Sequence, residues 1–451
     1  MEPLSQPITE HATVQEVVKI SQDASRAVGQ EFTFITFDLA VAKMAYSLVW
    51  QNKILYKDVI IHLGVFHILC AYLKAIGKVM CGSGFEEVVI DSKICASGSI
   101  EKVMKDKHYN RSLRVYKTVM EALERLLFKA FRQHKQLDKL IEKAKGELNY
   151  VFNSNNEISD DSTSSLKELA ENYFQFKQNV RLGKLGKTAQ FWMSYMDAVW
   201  RVLNCLRATK RNDLDLHITC LEQMCPLFFS MDHPNYARYL TSYIILLLNL
   251  KDSHPGAEEL LQDNGFSVCM SSVSGARNAV DLTIEQTINR QAKCKGGIVG
   301  FSQNKAAYHK WCMTRHKRAS LVAALMEDSG LDSKDPHHKD CEPSQIRLSE
   351  KGVQSMIQSF ESFINPFDII GNEKLVSLSS GMEASEKVAA DLLSIEKDGK
   401  QFYDQFVKNT LVEKNESFHA PLKRNKKLTF ATQKKTAKVT TSKKKEVKIT
   451  A

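Results

Sequence analysis

The sequence predicts a helix-rich α/β fold, with a small sheet embedded in helical insertions and further helices towards the C-terminal end. Three observations predict it. Only two short runs, EFTFITFD at 31–38 and VIIH at 59–62, have the dense β-branched and aromatic character of buried strands. Most of the remaining chain spaces its apolar residues by three and four, the signature of helices with one buried face. The hydrophobic share, 43%, is enough to build a core around so few strands.

The elements follow in order. The first run ends on Asp38 and the second leads to His67. From Phe66 to Val79, residues Ile68, Leu69, Tyr72, Leu73 and Ile76 fall on one helical face, and Gly77 with the CGSG cluster at 81–84 ends the pattern. Between Asn110 and Leu148, Val115, Val119, Leu123, Leu126, Leu127 and Ala130 line one face and charges line the other. The stretch NSNNEISDDSTSS at 153–165 is turn-forming and polar, so it reads as a linker. Residues 166–250 read as several helices contributing Phe191, Trp192, Trp200, Phe228 and Phe229 to an aromatic core. Val280–Lys293, 304–326, 345–363 and 383–411 are predicted helices.

The predicted organisation is a polar N-terminal segment (1–30), the first part of the α/β core (31–152), the linker (153–165) and a helical insertion (166–275). A return to the core follows (276–330), then a loop (331–344), C-terminal helices (345–420) and a basic disordered tail (421–451).

Charge is distributed unevenly. The chain has 62 basic and 52 acidic residues; the segment 421–451 holds 11 of the former and one of the latter, so the rest carries 51 of each. The formal charge of +10 therefore belongs to the tail, and the body gives no global electrostatic argument for nucleic acid. The 10 cysteines form no CxxC pair, and the first 15 residues lack an apolar signal core, so the cysteines are expected to be reduced core residues. The longest apolar run, Tyr239–Leu250, is too short for a bilayer, which needs about 20 residues, and reads as a buried helix.

Several constellations can carry chemistry. An acid at the end of a buried strand, such as Asp38, is held rigidly enough to ligate Mg²⁺; the plainer reading is a cap on the next helix. Asp281 and Glu285 stand four apart, on one helical face. Val280, Ile284 and Ile288 are expected to form the buried edge beside them, so the alternatives are a metal-offset acid pair or a solvated face. His67 can ligate metal, carry a proton or simply pack. Asp232–His233 reads as a turn, and His337–His338 lacks metal-ligand spacing. KCKGGIVG at 293–300 is a weak phosphate-loop candidate. Lys310, Arg315, Lys317 and Arg318 interleave with Trp311 and can meet phosphates, as can Lys423, Arg424, Lys426 and Lys427, which also suit a nuclear import signal.

Six blocks, read together and in order, resemble a transposon-derived protein family multiplied through animal genomes. They are ITFDLAVAKMA (35–45), the segment 59–89, LEQMCPLFFSMDHPNYARY (221–239), the segment 280–311, NPFD (365–368) and HAPLKRNKKLTF (419–430). The resemblance implies a ribonuclease H-like core of the DDE-transposase type, with a helical insertion before its last acid. It implies Asp38 as the first metal-binding acid and Glu285 as the last, with Mg²⁺ or Mn²⁺ as the cofactor if activity remains. The second strand, however, leads to His67 where a carboxylate is needed, and two-metal chemistry requires bridging carboxylates. Asp281 or Asp232 can substitute. Leu39 also stands where the family commonly has Gln, and Met1 lies unusually close to the first matched strand. The expectation is a catalytically degenerate, nuclear protein acting on or near DNA. A non-enzymatic helical scaffold and an active metal-dependent strand-transfer nuclease are the alternatives.

Overall fold

Helix α1 (His11–Ala27) precedes strand β1 (Thr33–Phe37), helix α2 (Leu39–Gln51) and strand β2 (Val59–Leu63). The computed structural model describes residues 7–135, 137–153, 163–270, 274–293, 304–330, 342–368, 373–422 and 427–433. β1 and β2 pair in parallel, Thr33 opposite Val59 and Phe37 opposite Leu63. Parallel pairing needs a crossover, and α2 supplies it. All five residues of β2 are buried, as the β-branched run demands.

Helix α3 (Val65–Met80) leaves β2 after the single residue Gly64 and buries the predicted face, Ile68, Leu69, Tyr72, Leu73 and Ile76. α4 (Phe85–Asp91) and α5 (Ser97–Met104) turn the chain into α6 (Tyr109–Lys135) and α7 (Asp138–Asn153). α8 (Ser164–Arg181), α9 (Lys187–Arg211), α10 (Leu214–Ser230) and α11 (Pro234–Leu248) form the helical insertion. No single helix among the described residues is long and apolar enough to cross a membrane. Trp192 is the insertion's central side chain, fully buried and edge-on to Phe360 at 5.6 Å. Trp200, expected in the core, is 53% exposed instead, because it lies on the outer face of α9.

Short helices α12 (Leu250–Ser253) and α13 (Ala257–Leu260) lead through a π-helical turn (Leu261–Gly265) to a second, antiparallel sheet. Its strands are β3 (Ser267–Cys269) and β4 (Arg277–Ala279). The predicted helix at 280–293 is built from α14 (Val280–Ile284), a π-helical turn (Glu285–Asn289) and α15 (Arg290–Lys293). α16 (Lys305–Met313) and α17 (Arg315–Asp328) form a hairpin, and α18 (Pro343–Ser362) packs on α4 and α6. Arg125 of α6 holds Glu350 of α18 through two hydrogen bonds of 2.6 and 2.7 Å.

α19 (Glu386–Leu393) and α20 (Ile395–Phe406) close the body against α9 and α10. Gly399 makes the close approach possible: a Cβ there would lie 2.3 Å from the Pro226 carbonyl oxygen of α10. The segment 427–433, expected to be disordered, belongs to the fold. Phe430 is fully buried and faces Phe191 at 6.4 Å.

Candidate functional site

The parallel strands deliver Asp38 and Gly64 to the same end of the sheet, and the chain returns there 217 residues later with Asp281. The N-terminal backbone N–H groups of α3 need acceptors, and Gly64, as its cap residue, has no side chain to supply one. Asp281 does so from α14. Its Oδ1 accepts from the Phe66 N–H at 3.2 Å and its Oδ2 from the His67 N–H at 3.1 Å. The Oδ2 also meets the His67 Nδ1 at 3.0 Å. A Cβ at Gly64 would sit 2.3 Å from that same oxygen, so only glycine leaves room for the carboxylate.

Asp281 is buried, 6% exposed, while the His67 side chain is one-third exposed. The hydrogen bond to Asp281 raises the His67 pKa against the opposing effect of burial, and the nearby charges of Asp38 and Glu285 raise it further. The structure therefore gathers Asp38, His67, Asp281 and Glu285 into one electrostatic neighbourhood. Tyr236 of α11 completes it by donating to the His67 carbonyl at 3.1 Å.

Each carboxylate already has protein partners. Asp38 is exposed, and its Oδ1 caps α2 by accepting from the Val41 N–H at 3.0 Å, the plainer of its two sequence readings. Glu285 accepts from Asn289 at 2.9 Å and faces the Lys293 ammonium at 3.7 Å. Among the described residues no group of three or more His, Cys, Asp or Glu side chains is arranged to hold a metal ion. A pair of divalent cations needs shared carboxylate oxygens. Here the most buried acid spends its oxygens on a helix end and a histidine, and Glu285 stands beside a cation. The donor set does not fit a two-metal centre.

The helix carrying Asp281 is turned differently from the sequence expectation. Ile284 and Ile288, predicted as its buried edge, are 37% and 44% exposed, whereas Asp281 is buried. The attraction of α3's N-terminus for the carboxylate sets the rotation of α14, and the π-helical turn alters the spacing after it.

Asp232 lies elsewhere. It adopts φ 57° and, with Phe228, Phe402, Asn409 and Glu416, lines a separate cavity of about 380 Å³. Lys310 and Lys317 are exposed on the hairpin, Arg315 is half-buried, and Arg318 stacks over Trp311 at 4.2 Å. Lys423, Arg424 and Lys426 lie outside the described residues, as do His337, His338 and the glycines of 294–300. Lys427 must be corrected as a nucleic-acid contact. Its side chain is 3% exposed and its ammonium meets Asp398, Asp391 at 3.7 Å and Ser394 at 3.0 Å, so these acids have already claimed its charge.

Sequence reasoning missed two polar groups. Asp106 buries its carboxylate beside the Cys70 thiol and the Ser112 hydroxyl without a well-formed hydrogen bond, and burial pushes its pKa up to about 6. His62 and His217 are both buried. The Nδ1 of His62 meets the Tyr243 hydroxyl at 2.7 Å, His217 stacks on Phe266 at 4.8 Å, and desolvation lowers their pKa values to about 4 and about 3. Position 62 was readable as a strand residue, but nothing in the local pattern around 217 marks a fully buried histidine.

No curated protein and no solved structure matches the chain. Residues 3–450 match a domain of unknown function (DUF8702), and the chain belongs to that family.

Proposed function

We propose that this is a transposon-derived, ribonuclease H-like protein that has lost metal-dependent chemistry and acts in the nucleus on or near DNA. The observation that carries the reading is the role of Asp281. A βαβ unit ends in Asp38, and a helix returns across the same sheet end with Asp281 and Glu285. This is the layout expected of a degenerate core. His67 stands where a second acid is needed and binds the neighbouring acid instead of a cation. What remains is a salt-bridged closure of the core that retains the ability to present DNA-facing lysines.

In this reading, contact with DNA is electrostatic. It uses Lys310 and Lys317 on the hairpin and the lysines of 434–448, and it is therefore salt-sensitive and sequence-tolerant. The test is retention of a short duplex by the purified chain as salt rises from about 50 to about 300 mM, in parallel with a chain ending at Gln433. The expected result is retention that falls steeply with salt, with a shallower slope for the shortened chain. No retention at low salt, or retention insensitive to salt, overturns the proposal. A helical scaffold without nucleic-acid contact is the second reading, favoured by the neutral body and by the apolar exposure of α17.

A further inference from the structure

We infer that α17 is the contact by which two copies of this chain pair, antiparallel and about a two-fold axis. No residue of α17 is buried, and its main packing partner is α16. Its exposed side chains are not those of a solvated helix. Leu321 is 62% exposed, Val322 55%, Leu325 59% and Met326 42%. At 100° per residue these four fall within one broad stripe, with Arg318 on its midline and Arg315 extending it towards the N-terminal end. A continuous apolar stripe on an exposed helix marks an interaction surface.

The charge order along the helix selects the occupant. α17 begins Arg-His-Lys-Arg and ends Glu-Asp. Parallel pairing would bring like ends together. Antiparallel pairing, centred between Leu321 and Val322, sets Leu321 against its partner's Val322 and Arg315 against its partner's Asp328. It also runs the two helix dipoles in opposite directions. One stripe thus complements itself, as a two-fold interface requires. Lys317 lies off the stripe and stays available to solvent. A helix of 14 residues spans about 21 Å, a small interface, so pairing is expected in the micromolar range.

The experiment is sedimentation equilibrium of the full chain between about 1 and about 100 μM, with far-ultraviolet dichroism as the folding control. The expected result is a reversible monomer–dimer equilibrium, abolished by Leu321→Glu with Leu325→Glu and without loss of helix signal. Both positions are exposed, so the double variant folds. Arg315→Glu and Asp328→Arg should each weaken pairing about tenfold. Mixing the two variants should restore it, because each then meets its complement. A chain that stays monomeric throughout the range, a dimer untouched by the double glutamate variant, or charge variants that the mixture does not rescue would each overturn the inference.

Discussion

At the residue scale the structure turns on Gly64. Residues Ile60 to His62 announce a buried strand, and Gly64 looks like a loop residue after it. Its importance lies in what its missing Cβ admits, the Asp281 carboxylate from far along the chain. Gly64→Ala should force that carboxylate away from α3, leaving two backbone N–H groups and the His67 ring without their acceptor. A loss of about 3 kcal/mol is expected, measured as a shift in the denaturant midpoint with an unchanged slope. A stability within about 0.5 kcal/mol of the parent would show that Asp281 is not a structural cap. The sequence offered Asp281 as an acid and His67 as a possible ligand or proton carrier. It could not pair them, since the link is a tertiary contact between residues 214 positions apart.

At the element scale, legibility followed local physics. The strands, the buried face of α3 and the helix α11 were readable because their patterns decide their own burial. The rotation of α14 was not, because a distant helix end sets it. Nor were β3 and β4, each three residues long and too short for alternation to show. The C-terminal segment is the instructive case: KRNKK reads as exposed, yet Lys427 is enclosed by acids and Phe430 plugs the aromatic core. A chain ending at Gln433 should therefore unfold at the parent's midpoint. A chain ending at Leu422 should lose about 3–5 kcal/mol, the usual cost of emptying a phenylalanine site. Equal stability of the two truncations would place the end of the folded unit before Lys427.

At the scale of the whole molecule, three histidines give stability a narrow pH window. His62 and His217 are held neutral, with folded pKa values of about 4 and about 3 against 6.5 when exposed. The unfolded chain thus binds more protons below pH 6.5, and stability falls as the pH drops from there towards 4. His67 acts oppositely. Its raised pKa gives stability that is complete below 6.5 and fades as pH rises through the folded value. The maximum is expected just above pH 6.5, and His62→Gln should flatten the acid side alone. A midpoint constant from pH 4.5 to 8 would contradict the assignment.

The central claim is that the acids at the sheet end are a structural closure rather than a metal centre. Its most direct test is nicking of supercoiled DNA in Mg²⁺ or Mn²⁺ by the purified chain, beside Asp38→Ala and Glu285→Ala. The account predicts no nicking above the metal-only control by any of the three. Nicking by the parent that disappears in both variants would contradict it and restore these acids to catalysis.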